Sequence, residues 1–280
     1  MVSPLNSISS SQLQHSQFPL SETDAGLTRH FLRVLSPWFD YCDPRRQFIN
    51  EVSGRLSCSE ALLKAVLAVS AQHLSAFGQF DPNVSDRYYR TALENLTSVT
   101  SASHVALNEE MLAATVILRL RAEFEDRRLM TRTVPLPGID NQYYLVGTQT
   151  LLEEYRTFHT LSEFQIALAW IGLRQELRVA VMAQRPVCFP LDCLYIDWNS
   201  TPKHDAEWAQ RMMLHLAEVL NYCYGTAAKI ETYKILTARS QEWRESKPPS
   251  FTPLFSQPSD ETTRFPRCEF VNNAVGKKYL

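Results

Sequence analysis

Glycine is scarce in this chain of 280 residues, with 8 in all. A fold of many strands and tight turns needs far more positions of positive φ, so the scarcity argues against an all-β protein. The 15 prolines and the glycines together are too few for a collagenous chain or a Pro/Gly-rich disordered one. Charge of one sign is also missing. Lys and Arg number 28 against 30 Asp and Glu, and the net charge of -2 gives no general attraction to phosphate backbones. Long apolar runs are absent: residues 112–118 and 166–173 are among the longest, well short of the ~20 residues that cross a bilayer. The six cysteines are scattered at Cys42, Cys58, Cys188, Cys193, Cys223 and Cys268. No Lys or Arg precedes Arg29 and no apolar stretch opens the chain, so a secretory route and a disulfide framework are not expected. The matches to the glycosylation pattern at Asn83, Asn95 and Asn199 are then coincidental. The sequence reads as intracellular.

What is present is helical periodicity. Hydrophobic residues make up 45% and charged ones 21%, which at this length supports a sizeable core without staples. Residues 1–26 are Ser/Gln-rich and aperiodic, and read as a disordered leader. Ser57 and Glu60 have the spacing of a capping box ahead of Leu62, Leu63, Val66, Leu67, Val69, Leu74 and Phe77, with Gly78 as the stop. Asp81-Pro82 starts a second helix, with Tyr89, Ala92, Leu93, Leu96 and Val99 on one face. A third starts at Asn108, with Glu109 and Glu110 at the positive end of its dipole. Residues 126–140, with two prolines and a glycine, read as a break. A fourth helix is expected over 143–155. A fifth runs from Ser162-Glu163 to near Pro186, with Trp170, Leu173, Leu177 and Val181 as its stripe. After a loop over 186–202 come helices over 205–223 and 226–243, separated at Gly225, and then a Pro/Ser-rich tail. The reading is all-α: a leader over 1–26, a multi-helix domain over 27–246 and an irregular tail over 247–280.

Catalytic constellations are lacking. There is no Gly-rich phosphate loop, no Gly-x-Ser-x-Gly elbow and no His-Glu-x-x-His helix. His204 and His215 near Asp205 and Glu218 read as a helix-start histidine and a surface or core histidine rather than metal ligands. Cys188 and Cys193 lack a second ligand pair for zinc, and Cys223 has no neighbouring base. Glu123, Glu125 and Asp126 are followed at once by Arg127 and Arg128, the mixture of a solvated helix end rather than a Mg²⁺ site. Trp170, Trp208, Trp243, Tyr222 and Tyr224 fall at helical spacing and read as core. No catalytic residue, cofactor or metal site is assigned, and the chain does not read as an enzyme.

Several segments in order carry a resemblance: LLKAVLAVSAQHLSAFG, YYRTALENL, MLAATVILRLRAEFE, NQYYLVGTQTLLEE, and AWIGLRQELRVAVMAQRPV leading to Ile196-Asp197-Trp198. The most specific piece is Leu173-Arg174-Gln175-Glu176 with Gln184-Arg185-Pro186 ten residues on. Over roughly 27–270 this resembles the fungal-specific transcription factor domain, the helical regulatory region that follows a Zn2Cys6 DNA-binding cluster. On these residues Trp170, Arg174, Gln175, Glu176, Gln184 and Arg185 are the candidate interaction motif. An internal salt-bridge and packing motif is the favoured reading of them over an effector site.

The resemblance implies a regulator of transcription in the nucleus, of the kind found beside metabolic or secondary-metabolite genes. The closely spaced cysteines of the zinc cluster do not occur among these residues, so direct DNA binding is not expected. The family's further helices after Phe265-Pro266 are also not met, which leaves apolar faces for a protein partner or for self-association, or points to a shortened gene model. The alternative is an accessory enzyme or small-molecule-binding protein on the same scaffold. Target genes and any effector are not legible.

Overall fold

The computed structural model describes residues 18–41, 43–100, 109–130, 161–226, 229–259 and 267–269. Among the described residues the fold is all-α apart from one short strand pair. Helix α1 spans Glu22–His30, so it starts inside the stretch expected as a leader, residues 1–26, and runs past its end. A capping box starts it: the Ser21 hydroxyl accepts from the Asp24 amide at 3.1 Å and the Asp24 carboxylate accepts from the Ser21 amide at 3.3 Å. One widened turn follows over Phe31–Leu35, then a tight turn over Ser36–Trp38.

Helix α2 (Gln47–Arg55) is reached through Arg46 at φ 55°, and its first amides are taken by two carboxylates. Asp43 accepts from Gln47 N at 2.8 Å, and Asp40 accepts from Phe48 N at 3.0 Å and Ile49 N at 3.2 Å. Helix α3 is Glu60–Ala76. Its cap is Ser59, whose hydroxyl accepts from Leu62 N at 3.3 Å; Glu60 therefore opens the helix, and the expected Ser57–Glu60 box does not form. Ser59 wins because it stands directly before the apolar face. Gly78 ends the helix at φ 70°, where its own N–H and that of Gln79 reach the carbonyls of Ser75 and Leu74.

Helix α4 (Pro82–Thr100) starts as expected, with Asp81 accepting from Asn83 N at 2.9 Å. Helix α5 spans Glu109–Met130, so residues 126–130 continue it rather than begin a break. They contain charge but neither Pro nor Gly, and charge alone does not stop a helix. The remainder of that break and the helix expected over 143–155 lie outside the described residues. Helix α6 (Glu163–Ala183) has a full capping box from Ser162 and Gln165. Helices α7 (Asp205–Tyr224) and α8 (Ile230–Ser246) are split near Gly225, whose amide closes on the Asn221 carbonyl at 2.9 Å. In the stretch expected as an irregular tail, β1 (Phe255–Gln257) pairs antiparallel with β2 (Arg267–Glu269), Phe255 opposite Glu269. Strands of three residues are too short to show alternation in sequence.

Helix α3 forms the centre, packed on α4 and α5, with α1 on a further side. Leu62, Leu63, Val66, Leu67 and Val69 are buried, as are Ala65, Ala68 and Ala71 between them. A helix apolar all round belongs in a core. Helix α5 is buried in the same way from Met111 to Ala122. Its arginines act as ties: Arg121 bonds Ser85 at 3.0 Å and Asp86 at 2.5 Å on α4 and lies 4.2 Å over the Tyr89 ring. Arg55 of α2 joins Glu109 and Glu110 of α5, each at 2.8 Å, and sits over Phe164 of α6. Cys58, Cys188, Cys193 and Cys223 are free thiols.

Candidate functional site

Helix α6 presents two polar faces, and the candidate motif residues divide between them. The inner face carries Gln175 and Glu176, which are 4% and 0% exposed rather than displayed beside Arg174 and Arg178. Gln175 donates through Nε2 to the Val116 carbonyl at 2.9 Å, while its own backbone carbonyl accepts from Arg119 at 3.0 Å. The Glu176 carboxylate accepts from Arg185 at 2.5 Å and 3.2 Å and from the Cys188 amide at 2.7 Å. Arg119 of α5 approaches the same carboxylate at 4.0 Å. Burial pulls the Arg119 guanidinium down to about 10, against the opposing pull of Glu123 and Glu176.

Gln184 closes α6 in the left-handed region at φ 52°, ψ 50°. The Gln184 amide returns to Val181 and the Arg185 amide to Ala180, which turns the chain back so that Arg185 reaches Glu176. Arg185 is therefore an ion-pair partner of Glu176 across the turn. Val181, expected on the buried stripe, is 46% exposed, while Leu173 and Leu177 are buried. Arg178 pairs with Glu123 at 2.6 Å, which takes that carboxylate out of the solvated helix end expected for it.

The outer face of α6 lines a groove of about 770 Å³ between α2, α6 and the start of α7. Trp170, half-buried, and Ile166, 39% exposed, form its floor with Met213. Asp40 lies in its wall, and Arg174 lies 5.9 Å from the Tyr41 ring centre. Arg45 and Gln47 hold Glu163 at the rim, at 3.2 Å and 2.8 Å. Burial raises the Asp40 carboxyl to about 6, even though two backbone amides donate to it. Sequence reading passed over Asp40; the carboxylates at 40 and 43 just before an amphipathic stretch were the available signal for a capped helix start.

His204 stands at the start of α7, and His215 is buried, with its Nε2 2.7 Å from the Ser240 hydroxyl. Trp208 donates nothing to a cage: its backbone carbonyl accepts from the Trp243 indole at 3.3 Å. Among the described residues no group of three or more His, Cys, Asp or Glu side chains is placed to hold a metal ion. No helix of the described residues is long and apolar enough to cross a membrane.

The described residues form an all-α scaffold whose buried polar clusters tie its helices together. More particularly, residues 26–123, from within α1 to the greater part of α5, match the family described as the fungal specific transcription factor domain. The candidate motif on α6 lies beyond the matched residues. No curated protein and no solved structure matches the chain.

Proposed function

We propose that this protein is a regulator of transcription that acts in the nucleus through protein contacts, in the control of metabolic or secondary-metabolite genes. The observation that carries the reading is the match to the fungal specific transcription factor domain over residues 26–123, a stretch that also supplies α3 and the greater part of α5 at the centre of the fold. The net charge of -2 supports a division of labour in which sequence-specific DNA contact is made elsewhere. Apolar side chains left exposed on α7 and α8, among them Ile230 at 58%, Tyr233 at 51% and Ile235 at 53%, support a protein partner.

The test is transcript abundance in neighbouring genes after deletion of this one. Coordinated change of those transcripts is the expected result. Unchanged transcripts together with loss of a metabolite would overturn the regulatory reading in favour of an accessory binding protein or enzyme.

A further inference from the structure

The groove between α2, α6 and α7 has the volume of a small-molecule site, and apolar side chains such as Ile166, Trp170 and Met213 share its lining with both carboxylates and cations. Its carboxylates are not equivalent. Glu163 is neutralised by Arg45, and Glu207 reaches back to the Lys203 amide at 2.7 Å. Asp43 caps α2 and also accepts from Arg45 N at 2.9 Å in the open. Asp40 differs. It makes no ion pair among the described residues; its direct partners are the neutral amides of Phe48 and Ile49, and the nearby charges of Asp43 and Arg46 act on it in opposite directions.

Asp40 is also half-buried, and that burial is what costs the charged form. Arg45, Arg174 and Lys203 also line the groove, but it holds in Asp40 a carboxylate with no ion-pair partner among the described residues, and in Trp170 an indole surface. Both favour a cation over a neutral or anionic group of the same shape.

We propose that the groove binds a small organic cation, an amine whose ammonium group reaches Asp40 and whose apolar body lies on Trp170 and Ile166. This goes beyond the regulatory reading and stands without it, since it concerns binding to the purified chain alone.

Three probes of matched shape test it: phenylbutylamine, phenylbutanol and phenylbutyrate, titrated calorimetrically and by thermal shift into the full chain. The amine is expected to bind and raise Tm, with the alcohol and the carboxylate roughly tenfold or more weaker. Asp40→Asn should erase the preference for the amine. Ile166→Trp, which fills the groove from an exposed position and leaves the α2 cap intact, should block binding, and it carries the test if Asp40→Asn does not fold. Equal binding of all three probes would overturn the proposal. So would a preference for phenylbutyrate, which would assign the groove to its lining cations Arg174 and Lys203. Absence of amine binding at millimolar concentration, or amine binding that survives Ile166→Trp, would also count against it.

Discussion

Glu176 and Arg119 face each other across the buried side of α6, yet their removal should have opposite consequences. Glu176 is fully buried and holds Arg185 and the Cys188 amide. Glu176→Gln removes the buried carboxylate that Arg185 and Arg119 share, leaving Glu123 as the remaining opposite charge near Arg119, and should cost about 3–5 kcal/mol. Arg119 is less well served: its Nη1 has no hydrogen-bond partner, and neither has the Gln175 Oε1 atom. Arg119→Met keeps the volume and removes a desolvated cation whose carboxylate is already paired by Arg185. It should be neutral or stabilising by ~1 kcal/mol. Urea melts of the two variants decide the matter, and equal destabilisation by both would show that Arg119 is the necessary partner. Asp40 gives a second prediction at this scale. Its folded pKa of about 6 lies above the ordinary value of 3.8, so the folded chain still holds a proton where the unfolded chain has released it. The stabilisation is complete below pH ~4 and is lost as pH rises through about 6. Relative to Asp40→Asn, the native protein should lose on the order of 1–2 kcal/mol across that window, after allowance for solvent screening. A difference between the two proteins that does not change from pH 4 to 7 would rule this out.

At the scale of elements, the ends of helices were the most legible part of the sequence. Ser162, Gly78 and the Asp81-Pro82 pair act locally, and each does in the structure what its chemistry dictates. The Ser57 assignment failed by two residues because two serines competed for one cap. The inner face of α6 was not legible. Glu176 is satisfied by Arg119, far back in sequence, and by Arg185 beyond a reversed turn, and helical spacing carries no record of either. Exposure could not be read there because polar residue type normally signals solvent. That reversed turn yields a prediction: Gln184 carries a Cβ at φ 52°, where glycine fits without strain. Gln184→Gly should raise stability by ~0.5–1 kcal/mol, measured as a higher Tm, with α6 unchanged by circular dichroism.

At the scale of the whole molecule, burial is uneven. Helices α3, α5 and α6 contribute most of the core, whereas α8 has a single buried residue, Leu236. Besides that leucine, α8 is tied down by surface devices: Arg239 pairs with Glu218 and lies 4.3 Å over the Trp198 ring, and Trp243 bonds the Trp208 carbonyl. Local opening is cheapest where few apolar contacts are lost. Limited proteolysis under native conditions should therefore cut within residues 225–259 well before it cuts α3 or α5, and simultaneous cleavage of both regions would contradict this picture. The β1–β2 pair, with every residue of β1 exposed, should be released in the same step.

The packing of α3 against its two successors also fixes an order in time. Helices α3, α4 and α5 follow one another along the chain, and they are the most extensively packed trio among the described residues. During synthesis all three have left the ribosome before α6 has been made. A nucleus built from neighbours in sequence closes short loops and forms quickly. The nascent chain is thus expected to fold from its first half, with α6 docking afterwards onto a surface already in place. A ribosome-bound fragment stalled once residue 130 has emerged should then already protect the α3 amides from exchange.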